Sequence, residues 1–264
     1  PSGRRGGHRR TRAVGVSGPI ETRAGEGIFE IVLSRPERGN ALGPDLVEAA
    51  LEALGRAAVG GAWLVVLRGA GKHFCTGFDL SDLEQVSDGD LLLRVVRIEM
   101  LLQAVHHMPI PTLAIAHGAT TGAGADLLAA CQHRWALPGT RFAFPGAGFG
   151  LALGTRRLCL RVGSDAARDL VGSGRRIDVD EAARLGLVER IVEADAVDAG
   201  IRETGATLKI DRDTTARINA LTVPDTRESD MANLVASAAR PGLKARIAAY
   251  VAALQARKAE GGRG

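Results

Sequence analysis

Two glycine-rich loops, each directly after a short apolar segment, constrain the fold of this 264-residue chain most. Residues 63–69 and 112–116 have the length and apolar composition of buried strands, and glycine-rich loops at 70–80 and 117–126 follow them. The second loop runs straight into residues 127–131, which read as a helix. A strand that feeds a helix through a loop is a building unit of α/β proteins. The sequence therefore predicts an α/β fold.

The same order of elements occurs before and after these loops. Residues 28–33 read as a strand, and residues 44–59 carry apolar side chains at helical spacing. A second amphipathic helix is predicted over residues 91–108, and strand, loop and helix recur from 134 to 171. From residue 179 onward the pattern is mostly helical. A strand–strand–helix order thus recurs along the chain without a constant repeat length.

The net charge of +4 originates in the first 19 residues. They hold five arginines and no acidic residue, whereas the remainder has 29 basic against 30 acidic groups, a net charge of −1. A segment rich in glycine and arginine has too little apolar surface to pack, so we predict a disordered basic extension over 1–19. Only 3% of the chain is aromatic, and the stacking surface of a single-strand binding protein is missing. RNA contact and organelle targeting through this arginine-rich segment are the alternatives.

Cysteine content and hydropathy bound the remaining classes. The three cysteines Cys75, Cys131 and Cys159 lack the even count of a disulfide scaffold and the close spacing of a zinc site, so no metal is predicted. Cys75 is expected to be a packed side chain. No apolar run reaches the roughly 20 residues that span a bilayer, and the N-terminus lacks a secretory segment. These features predict a soluble, cytoplasmic protein without a membrane partner.

The chemistry is expected in the two glycine loops. A loop that leads into a helix N-terminus presents backbone N–H groups without intrahelical partners, together with the positive end of the helix dipole. If the fold brings the loops together, two N–H groups can converge on one oxygen, as in an oxyanion hole. The motifs of other enzyme classes are missing: residues 122–124 lack the third glycine of a dinucleotide fingerprint, and there is no phosphate loop, zinc-protease motif or nucleophile elbow.

Four segments in this order resemble the crotonase superfamily, which contains the enoyl-CoA hydratases and isomerases. They are LSRPERGNAL at 33–42, GAGKHFCTGFDL at 69–80, the stretch from Pro111 to Asp126, and AARLGLV at 182–188. The resemblance covers about residues 20–200. It implies an α/β spiral of repeated ββα units as an acyl-CoA-binding core at 20–200, followed by a C-terminal helical oligomerisation region at 201–264. It also implies a homotrimer or a dimer of trimers.

The resemblance also implies a set of site residues. The backbone N–H groups of Phe78 and Ala123 would form the oxyanion hole that binds the thioester carbonyl and stabilises an enolate. The CoA thioester would be the substrate, and no cofactor is implied. The residues expected to bind it are Arg38, Ala41, Lys72, Phe78, Asp79, Leu80, Ser81, Gly122 and Gly146. Asp79 is expected to organise its loop through backbone hydrogen bonds.

The chain departs from the family pattern at both catalytic carboxylates. Hydratases of the family use two glutamates, and the corresponding positions hold Asp126 and Gly146. Asp126 would handle a proton or water, although a helix dipole keeps it a weak base unless burial raises its pKa. Gly146 has no proton to transfer. The loop at 151–158 is also about three residues shorter than usual.

The resulting prediction is an enoyl-CoA hydratase/isomerase-type enzyme, a lyase or isomerase of fatty acid metabolism, with an incomplete carboxylate pair. Two alternatives stay open. An oxyanion hole without a strong base still supports decarboxylase or retro-aldol lyase chemistry. The other alternative is a non-catalytic acyl-CoA-binding or accessory homologue, which the loss of a side chain at Gly146 favours.

Overall fold

The computed structural model describes residues 12–14, 18–207 and 210–261. This part of the chain contains ten strands and ten α-helices. The strands are β1 (Arg12–Val14), β2 (Ile20–Gly25), β3 (Ile28–Leu33), β4 (Leu64–Gly69), β5 (Thr112–Ala116), β6 (Ala119–Thr121), β7 (His133–Ala136), β8 (Arg141–Ala143), β9 (Ile177–Asp178) and β10 (Arg190–Ile191). The helices are α1 (Pro44–Val59), α2 (Asp88–His106), α3 (Ala123–Ala130), α4 (Thr155–Val162), α5 (Ser164–Ser173), α6 (Val179–Arg184), α7 (Val197–Thr207), α8 (Arg212–Thr222), α9 (Arg227–Ala238) and α10 (Leu243–Gly261).

The strands form two sheets that the chain visits in turn. The larger sheet has the order β1-β2-β3-β4-β5-β7-β10, and it is parallel from β3 onward. The smaller sheet has the order β6-β8-β9, and single parallel bridges of Cys75 with Thr120 and of Leu42 with Phe78 extend its β6 side. Successive units therefore add one strand to each sheet and then a helix: β5, β6, α3 is followed by β7, β8, α4. The predicted α/β spiral of ββα units is confirmed.

The central strands β4 and β5 of the larger sheet are buried on both faces, which explains their continuous apolar runs. Val65, Leu67 and Ala114 pack in the cluster that includes α1, α2 and α3. Their neighbours Leu64, Val66, Leu113 and Ile115 belong to a second cluster on the other face, which Val197 and Ile201 of α7 cover. Alternate side chains of a strand point to opposite faces, so an alternating pattern would appear only if one face met solvent.

Helix starts differ from the predicted ones where the first turn is polar or glycine-rich. The side chains of Ser87 and Asp90 form a capping box that starts α2 at Asp88, three residues before the predicted position. Helix α3 starts at Ala123 within the second glycine loop and places Asp126 in its first turn, as expected. In contrast, α1 has the predicted bounds, because Pro44 stands at the first helical position and glycines follow Val59.

The C-terminal helices pack on the core of the same chain. Leu234 of α9 and Leu243 and Ile247 of α10 join Leu91 and Val95 of α2 in one buried cluster. The predicted boundary at residue 200 falls inside α7, which packs on the larger sheet. Within the predicted extension 1–19, β1 pairs antiparallel with β2, whereas residues 1–11 and 15–17 lie outside the described residues. A disordered extension stays a prediction there.

Candidate active site

The two glycine loops lie side by side and are joined by hydrogen bonds. The Thr121 N–H donates to Cys75 O over 3.0 Å, and the Thr121 hydroxyl donates to Thr76 O over 3.1 Å. Gly124 allows this approach, because a Cβ atom at this position would lie 2.3 Å from Cys75 O. The fold therefore brings both loops together, as a shared site requires.

The backbone amides of Phe78 and Ala123 lie at this junction without acceptors among the described residues. Ala123 is the first residue of α3, so its N–H has no partner inside the helix. Phe78 forms a parallel β-bridge with Leu42. In this bridge the Leu42 N–H donates to Gly77 O and the Asp79 N–H donates to Leu42 O, so the Phe78 N–H is not used. A Cβ atom on Gly77 would lie 3.4 Å from Ala123 N, which shows how closely the two segments approach.

Both residues line a cavity of about 290 Å³ whose walls are mostly apolar. Its polar side chains are those of Thr76, Thr121, Asp126, Arg176 and Tyr250. The apolar wall comes from α2, the 143–153 segment and α10, through residues that include Val95, Ile98, Phe144, Leu151, Val251 and Leu254. A mostly apolar cavity with a few convergent polar groups is the usual form of a small-molecule site.

Asp126 is the one acidic side chain of this lining. It is 6% exposed, and the Cα of Gly154 lies so close that a Cβ there would fall 2.1 Å from Oδ1. Burial raises the pKa of Asp126 well above its ordinary value; the Arg157 cation opposes this shift, and the Glu99 anion adds to it. The effect of desolvation is therefore larger than that of the Arg157 cation.

A buried ion pair supports the helices around Asp126. Glu99 of α2 and Arg157 of α4 are 1% and 3% exposed, and their side chains are joined by a short hydrogen bond. Glu99 also accepts a 2.9 Å hydrogen bond from Gln103, and Arg157 lies 3.8 Å from Asp230 of α9. Arg157 Nε has no acceptor among the described residues. Sequence reasoning missed this pair, because charged residues inside a helical pattern are usually solvated.

Gly146 lies in the cavity wall and offers no side chain there. A Cβ atom at this position would have no heavy atom closer than Leu151 O at 4.0 Å. The structure thus has room for a Cβ atom at the position where the resemblance places the second glutamate. Gly122, also predicted to bind substrate, lies on the opposite loop and lines the same cavity.

Residues predicted to bind the CoA portion divide between two places. Phe78 and Leu80 line the cavity described above, whereas Arg38, Ala41, Asp79 and Ser81 line a neighbouring depression of about 400 Å³. Arg38 donates to the Ser81 hydroxyl over 2.9 Å, and Asp79 accepts from the Ser81 N–H over 2.9 Å, so Asp79 organises its loop as expected. Lys72 is exposed and lines neither of these two cavities.

Asn40 fixes the first glycine loop, a role that the sequence did not reveal. Its Nδ2 donates to Ala70 O and His73 O at 2.9 and 2.7 Å, and its Oδ1 accepts from the Arg35 N–H at 2.9 Å. The residue is buried with a φ of +55°, a conformation that asparagine tolerates better than most residues. The signal was the Gly39-Asn40 pair, which reads only as a turn.

Cys75 is packed, as expected. The side chain is fully buried within the first glycine loop, and burial raises the pKa of its thiol to about 12. A thiol of this kind is a poor nucleophile because the reactive form is the thiolate.

Comparison with known proteins agrees with this geometry. The family model described as enoyl-CoA hydratase/isomerase matches residues 23–237. The chain belongs to this family. The resemblance to the crotonase superfamily is thereby confirmed.

Individual members of the family show how far the similarity extends. A Bordetella parapertussis protein of the enoyl-CoA hydratase/isomerase type is 44% identical with a TM-score of 0.87, and the match covers 89% of this chain and 99% of that chain. An enoyl-CoA hydratase from Mycobacterium smegmatis is 29% identical with a TM-score of 0.71, over 83% and 90% of the two chains. The mouse enoyl-CoA hydratase domain-containing protein 2, mitochondrial, is 36% identical over 195 residues, which are 70% of this chain and 64% of the mouse protein.

No group of three His, Cys, Asp or Glu side chains within residues 12–14, 18–207 and 210–261 is placed to hold a metal ion. In the same ranges, no helix has the length and apolar content needed to cross a membrane.

Proposed function

We propose that this enoyl-CoA hydratase/isomerase-family chain is an enzyme that binds an acyl-CoA thioester and stabilises its enolate. The thioester oxygen accepts hydrogen bonds from the Phe78 and Ala123 amides, which form the oxyanion hole. The observation that carries the proposal is that two amides without acceptors adjoin a cavity containing one buried carboxyl group. One such donor is worth roughly 3 kcal/mol of transition-state stabilisation.

Asp126 moves the proton in this proposal. A carboxyl group with a raised pKa is a stronger base when ionised, and its acid form persists closer to neutral pH. It removes a proton from the carbon next to the thioester and returns it there, or delivers it to a neighbouring carbon of the acyl chain. The enolate charge formed between these steps rests on the oxygen that the two amides bind.

Gly146 limits which reactions this arrangement supports. Hydration with two carboxylates requires a second acid/base at this position, and the cavity wall there is bare backbone. Proton transfer, as in isomerisation, and protonation of an enolate released by a decarboxylase or lyase reaction need only one such group. The proposal therefore favours these reactions over ordinary hydration.

Two thioesters test the proposal. Butyryl-CoA cannot be hydrated, so incubation in deuterated water reports only exchange of its α-hydrogens, by mass spectrometry. Crotonyl-CoA reports hydration by the loss of its enoyl absorbance. We expect exchange of butyryl-CoA with little hydration of crotonyl-CoA. Binding of butyryl-CoA without exchange would contradict enolate formation.

The same Gly146 observation favours one second candidate function, an acyl-CoA-binding or accessory protein without catalysis. It predicts tight binding of CoA thioesters and no turnover of enoyl, β-hydroxyacyl or malonyl-type thioesters.

We also propose that the protein is a homotrimer or a dimer of trimers and that its location is cytoplasmic. Light scattering of the purified protein measures the assembly.

A further inference from the structure

The acyl cavity contains one cationic side chain, that of Arg176. The residue stands directly before β9, whose Ile177 pairs with Phe142 of β8. This register places Arg176 beside Ala143, which lines the same wall. Gly174, two residues earlier, is close enough to Pro145 that a Cβ on it would lie 3.8 Å from the Pro145 Cα. Arg176 therefore belongs to the part of the wall that adjoins Gly146.

Arg176 has no ionic partner among the described residues, unlike the arginine next to it. Arg175 donates to Asp169 over 2.9 Å and to Glu181 over 2.8 Å, and it lies outside the cavity lining. These two bonds use one carboxylate from each neighbouring helix, α5 and α6. The guanidinium of Arg176 is left to interact with solvent and with whatever occupies the cavity.

No side chain of the lining pairs with this charge. The one acidic side chain, Asp126, is buried in the first turn of α3, the remaining polar side chains are hydroxyls, and the rest of the wall is apolar or bare backbone. At Gly146, where the family pattern has an anion, this chain has none. The end of the cavity formed by Arg176 and Gly146 consequently has one exposed cation and no anion paired with it among the described residues.

We propose that the acyl group bound here carries a second anionic group, a carboxylate, that pairs with Arg176. The inference rests on the proposed function, because it takes this cavity as the acyl site. A planar guanidinium binds a carboxylate through two parallel hydrogen bonds, which gives direction as well as attraction. An aliphatic acyl group of the same length leaves the guanidinium unmatched. The proposed substrate class is thus the CoA thioesters of dicarboxylic acids.

Calorimetric binding to the full chain tests this inference with matched ligands. Butyryl-CoA and succinyl-CoA have four acyl carbons each and differ only in ending with a methyl group or a carboxylate. Malonyl-CoA and glutaryl-CoA, with three and five acyl carbons, test a shorter and a longer distance between the thioester and the carboxylate that pairs with Arg176. We expect at least one diacid thioester to bind about 10-fold more tightly than its aliphatic counterpart. Arg176→Gln should remove that preference, and the control Arg175→Gln, at a residue outside the cavity lining, should retain it.

The outcomes separate the two proposals. If the aliphatic thioester binds as well as every diacid thioester, and Arg176→Gln changes neither, the carboxylate inference is wrong and the acyl-CoA site stands. If no CoA thioester binds, the proposed function fails, and the inference fails with it.

Discussion

Gly154 lies against the carboxyl group of Asp126: a Cβ atom on Gly154 would fall 2.1 Å from Oδ1, and its φ is +68°. Gly154→Ala should therefore cost more stability than backbone strain alone, which is about 1–2 kcal/mol for a left-handed residue. Gly174→Ala is the matched control, since its φ is +61° and its nearest atom would be 3.8 Å away. Urea unfolding measures the stability of both variants. Equal losses in the free energy of unfolding would show that the side chain of Asp126 moves aside without cost.

Asp126→Asn tests the proton transfer. The variant keeps the size of the side chain but not its acid/base function, so α-hydrogen exchange should fall by about 10²–10⁴-fold. Thioester affinity should change little, because the two amides remain. Asp180→Asn is the control, as Asp180 is an exposed acid in the first turn of α6, away from the cavity. Exchange at the wild-type rate in Asp126→Asn would remove this residue from the mechanism.

The same variant has a predicted effect on the pH dependence of stability. Because the folded pKa of Asp126 is raised, the folded protein binds more protons than the unfolded chain between about pH 3.9 and that raised pKa. Ionisation of Asp126 thus lowers stability as pH rises through this window. Asp126→Asn should gain stability relative to wild type across it and hold the gain above it, as urea unfolding at several pH values would show.

Asp88 provides a contrast of opposite sign. Hydrogen bonds from the N–H groups of Lys244, Leu243 and Gly242 lower the pKa of Asp88, so its stabilisation is present above the unfolded pKa and is lost as pH falls through the folded one. Asp88→Asn should therefore lose stability relative to wild type as pH rises. Parallel trends in the two variants would contradict the assignment for Asp126.

Ala123→Pro removes one of the two proposed donors. Proline is tolerated at the first position of a helix, where its missing N–H has no intrahelical partner. We expect exchange of butyryl-CoA to fall by about 10²–10³-fold. Ala123→Gly retains the N–H and should retain activity. Circular dichroism checks that both variants fold, and an active proline variant would exclude this amide from the oxyanion hole.

Gly146→Glu restores the carboxylate that the family pattern has at this position. The Cβ atom of this side chain meets no clash, because the nearest heavy atom to it would be 4.0 Å away. If the empty position limits hydration, the variant should hydrate crotonyl-CoA at least about 10-fold faster than wild type. Gly146→Ala fills the same space without a carboxyl group and serves as the control. No gain, with crotonyl-CoA bound, would mean that another feature prevents water addition.

Strands β3, β4 and β5 could be predicted because local sequence determines them, whereas β1, β2 and β6 were not predicted. The bounds of β3 and β5 match the predicted strands, since their apolar runs end at loop residues. Glu99 and Arg157 could not be predicted as partners, because they are 58 residues apart and meet only through the packing of α2 and α4. Likewise, Arg176 and Tyr250 reach the cavity through elements whose placement depends on long-range contacts.

The contribution of the final helix to the cavity affects how the substrate preference of this chain could evolve. Helix α10 supplies Tyr250, Val251 and Leu254 to the cavity, whereas the two amides and Asp126 come from the spiral. In the proposed function, one part of the wall that contacts the acyl group is thus encoded in a different stretch of polypeptide from the groups that do the bond-making chemistry. Substitutions in α10 can alter which acyl chains fit without disturbing the groups that polarise the carbonyl, so the two properties can evolve independently.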